Sequence, residues 1–341
     1  MLSWKVGLAL VVAFLAALGL TGLLRRYALA RSLLDVPNAR SSHSVSTPRG
    51  GGLAIVVVFL GALVCLYLSG SLPPAPALAM LGAGGLIAAI GFFDDHGHIP
   101  ARWRLLVHFS AAAWVLYCLG GAPTLQVFGT AVELGNWGSV LMVFGLVWLT
   151  NLYNFMDGID GIASVEAICA GLGGAVLCWL AGLPWLVAPA LLLVAAVAGF
   201  LWWNFPPARI FMGDAGSGFL GAMLGAMALI AGHAAPQLLW AWLILLGVFI
   251  VDATWTLLRR LLRGEKVYEA HRSHAYQVAS RRYGRHLPVT LAVGAINLLW
   301  LFPLATLVAM GRLDGIPGLG LAYAPLIVLA VYSDAGGGAA I

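Results

Sequence analysis

The sequence predicts an all-α polytopic membrane protein, a bundle of about 10–11 transmembrane helices with a cytoplasmic-face active site. Three observations carry that prediction. The chain is 62% hydrophobic and 9% charged, with a mean hydropathy of +0.96. Its apolar stretches recur at close to bilayer length, and its acids and bases cluster where those stretches end.

A helix needs ~20 mostly apolar residues to cross ~30 Å of hydrocarbon. Eleven stretches approach that length: 6–24, 51–70, 76–93, 105–120, 138–156, 162–181, 185–203, 216–232, 237–257, 289–310 and 317–332. Backbone groups in lipid must be satisfied within their own segment, so these spans form one integral-membrane domain over 1–341, with no separate soluble domain. Lys5 precedes the first stretch as in a signal peptide, but Arg25 and Arg26 stand where a cleavage region belongs, so it reads as a retained helix. Residues 121–137 alternate weakly around Gly129 and predict a small hairpin. The tail 334–341 is expected to be disordered. Cys65, Cys118, Cys169 and Cys178 lie within or at the ends of apolar spans without metal-ligand spacing, which argues against a disulfide framework.

Lys and Arg in short loops stay on the cytoplasmic side. All 18 basic residues except Lys5 and Arg312 fall on one side of the eleven-span arrangement. This puts the N-terminus outside, with inward loops at 25–50, 94–104, 157–161, 204–215 and 258–288. A pI near 9.2 suits loops beside anionic lipid and an anionic substrate, and no aromatic-basic module points to nucleic acid.

Each inward loop carries chemistry. Asp94 and Asp95 end the third span as neighbouring carboxylates, which repel unless a cation or donor lies between them. In NLYNFMDGIDGIAS, Asn151, Asn154 and Asp157 step by three along one helical face and Asp160 follows between glycines, offering the hard oxygens that suit Mg²⁺. In WWNFPPARIFMGDAGSG, Asp214 precedes a helix start whose free N–H groups favour phosphate, and Phe211 offers a flat face to a base. His271, Arg272 and His274 in EAHRSHAYQ are spaced to neutralise a diphosphate. Arg40, His43 and Arg49 lead into Gly50–Gly52, where small residues admit a lipid headgroup. The cluster from Arg259 reads as an orientation signal. Asp252 reads as a functional acid or a partner of Arg259, Glu166 is not assigned to catalysis, His233 and His286 read as interfacial, and His108 as a core residue.

In this order the five segments resemble the polyprenyl-phosphate N-acetylhexosamine-1-phosphate transferases, the WecA/MraY superfamily, over about residues 35–280. DVPNARSSHSVSTPRGGG, GFFDDHGHIPARWR and EAHRSHAYQ look closest to its WbpL-type, O-antigen-initiating branch. The resemblance implies catalytic roles for Asp94, Asp95 and Asp157, and Mg²⁺, with Mn²⁺ as a substitute, on Asp214 joined by Asn154. It implies uracil stacked on Phe211, a nucleoside near Asp160 and Asn204, and a diphosphate held by His271, Arg272 and His274. Val45 and Ser46 replace the lysine that MraY-type members carry before Thr-Pro, which leaves lipid-phosphate contact to His43 or Arg49. His98 replaces a third acid, so that position's role does not carry over.

The implied reaction is attack by undecaprenyl phosphate on the β-phosphorus of a UDP-N-acetylhexosamine, releasing UMP. UDP-GlcNAc, UDP-N-acetyl-D-fucosamine (UDP-FucNAc) and UDP-N-acetylquinovosamine (UDP-QuiNAc) are the implied donors. The implied location is the bacterial inner membrane with a periplasmic N-terminus, and a homodimer occurs in the family. Asp94 and Asp95 are expected chiefly to position nucleophile and metal, with Asp94 as general base the rival reading. A transporter or flippase is the competing class; it predicts binding groups near the midplane and related halves, and the sequence shows neither. CDP-alcohol phosphotransferases gather their acids in one motif, unlike this chain.

Overall fold

The computed structural model describes residues 4–37, 43, 45–97, 99–266 and 271–337. Helix α1 (Trp4–Ala30) leads to strand β1 (Leu34–Asp35), which pairs antiparallel with β2 (Thr47–Pro48). Next come α2 (Leu53–Leu68), α3 (Pro74–His96), α4 (Ala101–Leu119), the hairpin β3 (Leu125–Val127) and β4 (Thr130–Val132), α5 (Gly135–Phe155), α6 (Ile162–Leu180) and α7 (Pro184–Asn204). The chain continues through α8 (Asp214–Ala234), α9 (Pro236–Leu245), α10 (Gly247–Leu262), α11 (Ala275–Tyr283) and α12 (Leu287–Ile296). A π-helical turn, Asn297–Leu301, joins α12 to α13 (Phe302–Ala309), and α14 (Gly315–Tyr332) ends the bundle.

The protein is an all-α polytopic membrane protein. Every expected apolar stretch is helical, and among the described residues eight helical segments are long and apolar enough to cross a bilayer by themselves. α2, with 16 residues, and α4, opened by Arg102 and Arg104, fall short of that measure. The stretch expected at 237–257 is not one straight span: α9 and α10 meet at 70°. Beyond the corner α10 is amphipathic. It buries Asp252, Thr256 and Arg260 while Leu258, Leu261 and Leu262 stay exposed, a pattern that suits a helix lying against the bundle's polar end.

At the centre stands α8, buried continuously from Ala215 to Gly232. Small residues let its neighbours approach to main-chain distance, the usual basis of helix packing in lipid. A Cβ on Gly52 would lie 2.5 Å from the Gly216 Cα, and one on Gly91 would lie 2.6 Å from the Ala215 Cα. These contacts lock the starts of α2 and α8 and the end of α3 together.

The hairpin forms as expected, with Phe128 (φ 49°) and Gly129 (φ 75°) both left-handed, as a two-residue turn matching strand twist requires. The expectation of a disordered tail fails for residues 334–337. Asp334 pairs with Arg259 at 2.6 Å, Gly336 N donates to Ser273 O at 2.8 Å, and Arg263 donates to Gly336 O at 3.1 Å. Residues 338–341, Arg40 and His98 lie outside the described residues. The four cysteines are free.

Candidate active site

The site is built on the first turn of α8, whose N–H groups lack intrahelical partners. Asp95, buried in the last turn of α3, supplies them: the Asp214 and Ala215 N–H groups donate to its two oxygens at 3.0 and 3.2 Å. Gly213 is obligatory beside it. Its φ is 79°, and a Cβ there would meet the Asp95 carboxylate at 2.7 Å. Arg49 donates to the Asp95 carbonyl at 2.7 Å, which ties the glycine-rich loop to the same point.

Asp94 faces the other way. Its side chain accepts from Ile99 N at 2.8 Å and Arg104 at 2.5 Å, and Arg104 reaches Asp214 at 3.3 Å with the same nitrogen. One guanidinium therefore bridges two carboxylates. On the opposite side of Asp214, Asn154 donates to it at 2.8 Å and to Ser217 at 2.9 Å. Asn151 donates to Val147 O at 2.7 Å and lines a small cavity beside Arg104, Asn154 and Asp214.

The strip Phe211–Met212 is clamped by main chain: Phe211 N donates to Pro48 O at 2.8 Å, and Gly51 N and Gly52 N donate to the carbonyls of Phe211 and Met212 at 3.0 and 2.8 Å. His43 meets the Phe211 ring edge-on at 4.8 Å and lies 4.0 Å from Asp35. Asn204 spends both ends of its amide on backbone, accepting from Gly161 N and donating to Ile210 O, each at 3.0 Å. Asp160 accepts from Ala208 N at 3.0 Å and lies 3.2 Å from His286.

These segments enclose a cavity of about 220 Å³. Its wall carries the carboxylates of Asp35, Asp95, Asp157, Asp160 and Asp214 against one guanidinium, Arg49. Burial, and then the Asp214, Asp160 and Asp95 charges, push the Asp157 carboxyl well above the usual carboxylate range. A neighbouring cleft of about 440 Å³ shares His43, Asp160, Phe211 and His286 and runs to Pro206 and Arg285.

Of the residues expected in the site, His43, Arg49, Asp95, Asn154, Asp157, Asp160, Asn204, Phe211 and Asp214 line this cavity. Asp94 supports it from behind. The histidine-basic motif departs from expectation. His271 and Arg272 line a separate cavity of about 440 Å³, with Arg260 and Arg281. Burial, then the His274 and Arg260 charges, hold His271 down to about 3, so it is neutral at pH 7. His274 is buried against Asp252 at 3.3 Å and does not face the acidic cavity.

Asp252 explains that placement. It accepts from Ala275 N at 2.9 Å and Tyr276 N at 3.0 Å, closing the start of α11 as Asp95 closes α8. The alternative pairing with Arg259 does not occur; Arg259 binds Asp334. Through α11 the late loop delivers Gln277 to the acidic cavity, and Tyr276 Oη donates to Phe155 O at 3.0 Å. Glu166 takes no part: it is fully buried and accepts from Asn297 at 2.6 Å.

The sequence reading missed Arg104, Gln277 and His286. Arg104 stood among the orientation charges, and its spacing of ten residues from Asp94 was the available signal. His286 reads as merely interfacial in the sequence, yet it lies 3.2 Å from Asp160.

Fold and site together define a multi-pass membrane protein that gathers acidic and amide oxygens, an aromatic ring and a guanidinium at one end of its bundle. The chain belongs to glycosyl transferase family 4, whose model matches residues 77–232. It is 29% identical over 279 residues to the probable undecaprenyl-phosphate N-acetylglucosaminyl 1-phosphate transferase of Bacillus subtilis (strain 168), covering 80% of this chain and 76% of that one. It is 33% identical over 306 residues to the decaprenyl-phosphate N-acetylglucosaminephosphotransferase of Mycolicibacterium smegmatis, covering 75% and 70%. Against the phospho-N-acetylmuramoyl-pentapeptide-transferase of Streptococcus pneumoniae the identity is 30% over 240 residues, covering 65% and 71%.

Proposed function

We propose that the protein transfers an N-acetylhexosamine 1-phosphate from a UDP-sugar to undecaprenyl phosphate, releasing UMP, on the cytoplasmic face of the bacterial inner membrane. The WbpL-type motifs favour the first step of O-antigen synthesis. The observation that carries the reading is the wall of five carboxylates and one guanidinium, supplied by segments far apart in sequence. Alone it repels phosphates. With a divalent cation it becomes a place where two anions can meet.

The donor set fits Mg²⁺, with Mn²⁺ as substitute. Among the described residues no three acid, histidine or cysteine side chains converge into a ready cage. Mg²⁺ is commonly held by one or two carboxylates, with phosphate and water completing its shell. Asp214 and Asp157 are the carboxylates available for this. Asn154 points its amide N–H at Asp214, so it contributes an oxygen only if the amide turns over. When bound, the cation neutralises charge on the transferring phosphoryl group.

The remaining work falls to this chain's residues. Asp95 fixes the start of α8, and Arg104 and Asn154 orient the Asp214 carboxylate. Phe211 and the adjoining cleft suit a base, and Arg49 or His43 suits the lipid phosphate. A phosphomonoester loses its second proton near pH ~6, so the nucleophile needs little help from a base. The engagement of Asp94 with Arg104 and Ile99 supports a positioning role for that residue.

The test is UMP release by purified protein with undecaprenyl phosphate and each of UDP-GlcNAc, UDP-FucNAc and UDP-QuiNAc. Activity is expected with at least one donor and loss of it in Asp214→Ala. Full activity in that variant without added Mg²⁺ removes the metal site from the proposal.

A further inference from the structure

Gln277 occupies the third position of α11, where its carboxamide oxygen accepts the His274 N–H at 3.3 Å. That bond fixes which end of the amide faces inward and which outward. The oxygen is committed to the helix start, so the NH₂ group is presented to the acidic cavity that the residue lines. The residue is only 6% exposed, and among the described residues its amide nitrogen makes no hydrogen bond. A Cβ on Gly158 would lie 3.2 Å from that nitrogen, which places it against the Asp157–Gly158 turn. A donor that faces the cavity with no acceptor from the protein is open to a bound ligand.

We propose that Gln277 is a specificity-determining residue, donating its amide N–H to a neutral oxygen of the donor's N-acetylhexosamine, either the acetamido carbonyl or a hydroxyl. The inference rests on the function proposed above. An amide N–H carries no charge, which suits a neutral acceptor of this kind. The grip of Asp252 on the Ala275 and Tyr276 N–H groups gives the amide a fixed address, and sites built around such fixed donors discriminate strongly against analogues that cannot accept.

Two variants separate the donated bond from the fold of α11. Gln277→Glu keeps an oxygen to accept the His274 N–H and exchanges the donor for a carboxylate oxygen, since Glu serves a capping box as well as Gln. Gln277→Met removes the donor, and the accepting oxygen with it, without adding charge. Binding is measured by calorimetry on the full-length protein in detergent with Mg²⁺, using UMP and the tightest-binding of the three UDP-N-acetylhexosamines. Both variants are expected to weaken the sugar nucleotide about tenfold, and Gln277→Met is expected to leave UMP affinity unchanged. Equal losses for UMP and the sugar nucleotide in Gln277→Met would reveal a purely structural role and overturn the proposal, as would no loss for either. If the unsubstituted protein binds UMP and the sugar nucleotide but the variants match it, only the role of Gln277 fails. If it binds neither, the proposed function fails and this inference falls with it.

Discussion

The Asp214 N–H donates to Asp95 Oδ1 at 3.0 Å, so the buried acid of α3 sets where the α8 carboxylate begins. The adjacent aspartates thus divide their tasks. Asp95 holds backbone, whereas Asp94 holds the Arg104 guanidinium that reaches Asp214.

Replacing Asp95 removes acceptors from two buried N–H groups. Asp95→Ala is expected to cost about 1–3 kcal/mol and to abolish UMP release, because Asp214 loses its fixed position. Asp95→Asn, which keeps one acceptor, is expected to retain more of the stability. Thermal unfolding in detergent read beside activity checks both; a fully stable Asp95→Ala protein contradicts the capping role.

For Asp94, the discriminating measurement is a pH-rate profile. Asp94→Asn weakens the hold on Arg104 and is expected to lower the rate at every pH without recovery as pH rises. Recovery above the lipid-phosphate pKa supports proton removal by Asp94 and defeats the positioning role.

The Asp252 carboxylate predicts a local effect at a distance. Asp252→Ala leaves the Ala275 and Tyr276 N–H groups without partners, at a cost of about 1–3 kcal/mol concentrated in α11. Hydrogen exchange across 275–283 is expected to accelerate while α8 keeps its protection, and UMP release is expected to fall several-fold. Unchanged exchange in α11 refutes the assignment.

His271 gives a pH dependence with a definite sign. Its pKa in the fold is about 3, below the ordinary value of 6.5, so between these values the unfolded chain takes up a proton that the folded chain refuses. Its contribution therefore favours the fold above pH 6.5 and is lost as pH falls toward 3. His271→Gln is expected to lose less stability than the parent between pH 7 and 4, measured as the difference between the two melting curves; parallel losses contradict it.

The sequence made the spans legible because lipid imposes one periodic, apolar solution on each of them. The corner after Leu246 was not legible, since α9 and the start of α10 are both apolar and only the packing of Asp252 and Arg260 requires the turn. Within the site, the acids, Asn154, Phe211 and Arg49 were readable because their chemistry is local. Arg104 and Gln277 take their roles from partners elsewhere in the chain, as Asp94 and Asp214 do for Arg104. His271 and Arg272 carry chemistry suited to a diphosphate, but they precede α11 and line a separate cavity, and spacing alone does not reveal which cavity a loop residue enters.

Where Gly52 meets Gly216 the two main chains touch, with the Met212 side chain packed against both glycines. Two helices joined backbone to backbone move as one block, so the acidic wall cannot open by parting there.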